Sequence, residues 1–158
     1  MIRRRGFTLI EMLVVVAILS ILAGAAFPLA DLVARREREH ELRLALAQLR
    51  TGLDAYKQAY DDGRILKRTG ASGFPRDLDE LVAGVDDASS PTKKKIYFLR
   101  RLPRDPMFAG EPETPAAETW GLRSYASPPE DPQPGEDVFD VHSLSPKVGL
   151  DGIAYREW

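Results

Sequence analysis

Apolar positions follow two patterns along the chain. Residues 12–30 form a run with no charged side chain, and at 1.5 Å per helical residue its 19 positions span about 28 Å, close to the roughly 30 Å hydrocarbon core of a bilayer. The run predicts one membrane crossing. Further on, Leu42, Leu46, Leu49, Leu53, Tyr56 and Tyr60 recur at alternating steps of four and three, the seam of an amphipathic helix that packs against something. The mixed charges of residues 35–41 between the two suit a solvated or subunit-facing helix surface. As one helix, residues 7 to about 60 reach about 80 Å. Pro28, about one turn after Gly24, lacks a backbone donor and clashes with the preceding turn, which predicts a kink or local opening. Asp61-Asp62-Gly63 supplies the stop, glycine being favoured just past a helix C-terminus.

Beyond residue 63 the pattern breaks into short pieces. Residues 74–82 read as a turn and a short capped helix with Leu78, Leu81 and Val82 on one face. Residues 91–102 offer Ile96, Tyr97, Leu99 and Leu102 as a second short amphipathic element, and both pieces are expected to cover the seam. Nine of the 12 prolines follow Arg101, so no long helix fits there. Strand-like content lies at residues 120–126 and 137–144, with a weaker stretch at 153–158. The proline-rich residues 127–135 serve as a connector. The expected fold is α+β: a long N-terminal helix, first transmembrane and then outside the bilayer, packed against an antiparallel sheet of about three strands.

Charge refines this picture. The 22 basic and 24 acidic residues, net -2, provide no concentrated basic face, so nucleic acid is not an expected partner. The absence of cysteine excludes disulfides, thiolate metal sites and a cysteine nucleophile. Arg3, Arg4 and Arg5 precede the apolar run and hold that end in the cytoplasm, which puts the body on the far side of the bilayer. A conventional signal peptide released after Ala25 gives a soluble periplasmic alternative, and Arg4-Arg5 invites the twin-arginine route. Glu11 argues against both. A carboxylate in an apolar span costs about 2.5 to 3.5 kcal/mol at a helix centre, which a discarded peptide has no reason to carry. The simplest structural account of Glu11 is a helix N-terminus at headgroup depth, where the dipole favours an acid.

Gly6-Phe7-Thr8-Leu9-Ile10-Glu11 resembles the processing signature of type IV pilins and type II secretion pseudopilins. The resemblance implies a pilin-like fold and a prepilin peptidase that cuts between Gly6 and Phe7 and N-methylates Phe7. It implies a leader at residues 1–6, a membrane and filament-core helix half at 7–30, an amphipathic periplasmic half at 31–60 and a periplasmic body at 61–158. Glu11 is then expected to neutralise the Phe7 amine of a neighbouring subunit and set the register of a filament, with Gly24 through Pro28 able to lose helix on assembly. The implied partners are other pseudopilin subunits, the peptidase, an inner-membrane assembly platform and the lipid bilayer. "LDAYKQAYDDGR", "FPRDLDELV" and "YFLRRLPRDPM" are similar in order and spacing to segments of the major pseudopilin. Residues 65–68 depart from that pattern, as does Met107, where tryptophan is common. A subunit of a type IV pilus or DNA-uptake machine shares the same N-terminus.

No catalysis is expected. Asp140, His142 and Ser143 suggest a triad, but strand alternation puts Ser143 opposite the other two, and triads gather residues from separate segments. His40 and His142 form no cluster for zinc. The resemblance also implies Ca²⁺ in a C-terminal loop, for which Asp140, Ser143 and Asp151 are the candidate ligands. Hard cations want six or more oxygens, whereas residues 144–152 contain one acid, Asp151, and carry Lys147. The alternative is an ordinary loop with turns at Gly149 and Gly152.

Overall fold

The computed structural model describes residues 8–92 and 94–158, and of residues 25–28 the backbone only. The chain divides into two units, residues 1–37 and 38–158.

In the first unit the described residues belong to the opening part of helix α1 (Leu9–Asp61). Its start is a reciprocal cap: the Glu11 amide donates to Thr8 Oγ1 at 3.3 Å, and the Thr8 amide donates to Glu11 Oε2 at 3.4 Å. This pairing satisfies two of the orphan donors of a helix N-terminus. Residues 24–28 continue as helix, and the space a Gly24 Cβ would enter is open. No described side chain from residue 8 to 38 is buried; Leu9 is 80% and Ile21 74% exposed. Among the described residues, α1 is the one helix long and apolar enough to cross a membrane.

The second unit is built around the rest of α1. Leu42, Leu46, Leu49, Leu53 and Tyr56 are all buried, as their spacing requires. Leu78, Leu81, Leu99, Trp120, Val138, Val141 and Tyr155 complete the core around them. Gly52 is explained by this packing: a Cβ there would lie 3.1 Å from the Leu99 side chain. The helix ends where the two aspartates and glycine predict. Gly63, at φ +74°, donates to the Tyr60 carbonyl at 3.1 Å and Arg64 to that of Ala59 at 2.9 Å, the bond pair of a Schellman ending.

A short helix α2 (Glu80–Ala83) follows, its Glu80 amide capped by Asp77 Oδ1 at 2.9 Å. Strands β1 (Val85–Asp86) and β2 (Lys95–Ile96) pair antiparallel, so the stretch read from sequence as a second amphipathic element begins as an extended ribbon. Strands β3 (Trp120–Arg123) and β4 (Asp140–Ser143) pair antiparallel with Trp120 opposite Ser143 and Gly121 opposite His142. The connector hydrogen-bonds to itself and to Ser124, just past β3, whose amide donates to Gln133 O at 3.0 Å. The fold is thus α+β and pilin-like, with one change of detail: the third expected strand is an isolated bridge, Val148 with Ala154, followed by a 3-10 turn at Tyr155–Glu157. Gly149 and Gly152 fold the backbone tightly, Gly152 donating to the Gly149 carbonyl at 3.0 Å, and the turn aims the Tyr155 ring into the core.

Candidate functional site

Two regions hold the residues singled out from the sequence. The first is the start of α1. Glu11 is exposed at the third position of the helix, its side chain turned back to the Thr8 amide. Both cap bonds are long for N–H···O contacts, whose usual separation is about 2.9 to 3.0 Å, and a carboxylate keeps further lone pairs beyond the one used. The arrangement therefore presents a negative group at the mouth of a bare apolar helix. Gly6 and Phe7, the expected cleavage pair, lie outside the described residues, as does the side chain of Pro28.

The second region is the C-terminal segment. Burial alternates along β4: Val141 and Ser143 point inward, Asp140 and His142 are half-buried on the other face. Ser143 Oγ donates to Asp105 Oδ2 at 2.6 Å and receives the Ser145 amide at 3.1 Å. Asp140 Oδ1 accepts from Arg50 Nε at 2.8 Å, and Asp151 Oδ2 from Arg43 Nη2 at 3.0 Å. The three candidate calcium ligands thus each answer to a different partner and are not gathered into one cage. Among the described residues no three His, Asp or Glu side chains are grouped to hold a metal. Burial pushes the His142 imidazole below its ordinary pKa, against the pull of Asp140.

Two acids that matter here were not singled out from the sequence. Asp105, 2% exposed, accepts from the Ser143 hydroxyl and, at 2.7 Å, from the Met107 amide; its burial raises the carboxyl pKa despite those bonds. Nothing in the Arg104-Asp105-Pro106 turn announces this burial. Glu39, 7% exposed, accepts from the Leu150 amide at 2.8 Å and from the Tyr155 hydroxyl at 2.7 Å. Here a signal existed. Glu39 lies three residues before Leu42, so it continues the buried seam one step upstream.

Residues 1–27 match a family model described as the prokaryotic N-terminal methylation motif. The chain is similar to the type II secretion system core protein G of Klebsiella michiganensis, 29% identical over 140 residues that cover 85% of this chain and 89% of that protein. It is 33% identical to the core protein G of Klebsiella pneumoniae over 110 residues, 66% of this chain and 69% of that one. For the Dickeya chrysanthemi protein of the same name the figures are 32%, 66% and 63%. No solved structure matches the chain at comparable stringency.

Proposed function

The chain belongs to the family of type II secretion system core protein G and is a pseudopilin subunit of that system, and from this premise we propose that it is cut between Gly6 and Phe7, N-methylated on Phe7, and polymerised through the apolar half of α1. The observation that carries the proposal is the bare apolar part of α1 with a single acid at its start. Lipid covers that surface before assembly, with Arg3, Arg4 and Arg5 on the cytoplasmic side of the inner membrane. Neighbouring subunits cover it afterwards in a periplasmic filament that drives protein export.

Helices leaving lipid for one another gain little from hydrophobicity, since lipid tails are as apolar as leucine. Packing and polar pairs must then decide which arrangement wins. Cleavage creates an ammonium on Phe7, and Glu11 of a neighbouring subunit neutralises it. A subunit slid by one turn leaves both charges unpaired in an apolar core, which is strongly unfavourable. The pair therefore acts as a register lock, and the long bonds of the Thr8–Glu11 cap are easily exchanged for it. Local loss of helix across Gly24 and Pro28 lets the subunit lengthen as it packs. The partners in this scheme are the other pseudopilin subunits, the prepilin peptidase and the inner-membrane assembly platform. The pilus and soluble-protein alternatives are not favoured, because the methylation motif and the secretion relatives point to one system.

Intact mass of the protein purified from membranes, with and without prepilin peptidase in the cells, tests the processing. The expected species lacks residues 1–6 and carries one added methyl only when the peptidase is present. An uncut chain, or one starting near Ala26, contradicts it.

A further inference from the structure

Side chains of α1 hold the C-terminal segment through its backbone and its side chains. Glu39, Arg43 and Arg50 share one face of the helix, at separations of four and seven residues. Glu39 Oε1 takes the Leu150 amide and the Tyr155 hydroxyl. Arg43 pairs with Asp151 and lies over the Trp158 ring, 4.3 Å from its centroid. Arg50 donates from Nε to Asp140 Oδ1 at 2.8 Å and from Nη2 to the carbonyls of Trp158 at 2.7 Å and Val141 at 3.3 Å. Within the segment, Asp151 Oδ1 also receives the Ile153 amide at 3.0 Å.

We propose that Glu39, Arg43 and Arg50 form a metal-independent clamp that orders residues 144–158, so that this subunit needs no Ca²⁺ to hold its C-terminal segment. The acids that would ligate a cation are already neutralised. Asp151 and Asp140 each answer to a guanidinium of α1, and Lys147 puts a positive charge in the loop that carries Asp151. A divalent ion wants six to eight oxygens with several carboxylates among them. To bind here it would have to displace two arginines and then sit beside them. Every residue of the clamp lies within residues 38–158, so the inference stands apart from the assembly reading.

The test is limited proteolysis of the full-length protein in detergent micelles, with the cleavage rate within residues 144–158 read by mass, in EGTA and in millimolar CaCl₂. The clamp predicts equal protection in both solutions and no calcium retained after desalting. It also predicts faster cleavage confined to that segment in Glu39→Ala. Should Glu39→Ala unfold the body, two milder changes decide: Tyr155→Phe removes one hydroxyl from the buried carboxylate, and Arg43→Ala removes a half-exposed ion pair and its stack on Trp158. Each is expected to raise the segment's cleavage rate several-fold, independently of calcium. Slower cleavage of the parent protein in CaCl₂, or unchanged protection in both milder variants, overturns the proposal.

Discussion

The two parts of α1 share one backbone geometry and opposite burial. Up to residue 37 none of its described apolar side chains is buried, and among residues 39–60 the seam positions are almost wholly covered. The difference lies in where each finds its partners. The later part has an alternating four-three seam that its own chain closes over, so its stability is a property of the folded subunit. From residue 12 to 30 the earlier part carries no charge and is apolar around its whole circumference, which no single face of a small domain can bury. A bilayer and neighbouring helices are two environments that accept such a surface.

Substitutions that separate the two parts make this comparison quantitative. The largest loss of subunit stability is expected from Leu49→Ala, which empties the closed seam: about 2 to 5 kcal/mol in chemical denaturation, with membrane integration unchanged. Leu19→Arg should do the reverse. It adds roughly 2.5 to 3.5 kcal/mol to insertion, so the protein is lost from the membrane fraction while the denaturation midpoint of the body stays put.

Asp105→Ala leaves the Ser143 hydroxyl and the Met107 amide without their acceptor, for a loss of about 1 to 3 kcal/mol. Asp105→Asn keeps an acceptor and separates charge from hydrogen bonding. Because burial lifts the Asp105 pKa above the ordinary 3.8, the native state holds a proton that the unfolded chain has lost across that interval. Stability from this group therefore falls as pH rises through the interval. The parent should gain on the asparagine variant as pH is lowered from neutral towards 4. Asp87, held down to about 2 by hydrogen bonds from Ser89 and Arg64, pulls the other way in both proteins and cancels in the difference. A smaller effect, about 1 to 2 kcal/mol, is expected from Gly63→Ala, since a side chain at that positive φ strains the helix ending.

These elements also show what the sequence made legible. An uncharged apolar run and a four-three periodicity located the two parts of α1, and turn chemistry located its end at Gly63, because these signals are local. The β3–β4 pair was readable from strand content, although its ends were not. The third strand failed because two glycines and an inward tyrosine produced a turn from a stretch whose composition still looked extended. Glu11 was legible through its cost in an apolar run. Its reciprocal bond with Thr8 satisfies the S/T-x-x-E pattern, which sat unused inside the processing motif. Arg50 and Asp105 were illegible because their partners lie 90 and 38 residues away, and nothing local requires those pairings.

Glu11 is where the comparison is tested most directly, since the structure gives it a capping role and the proposed assembly would give it a charge to neutralise. Glutamine serves the cap as well as glutamate does but carries no charge. The decisive measurement is therefore the yield of sheared filaments from cells expressing Glu11→Gln, beside its membrane content. Normal membrane levels with filaments lost would establish the register lock, whereas normal filaments would reduce Glu11 to a helix cap and contradict it.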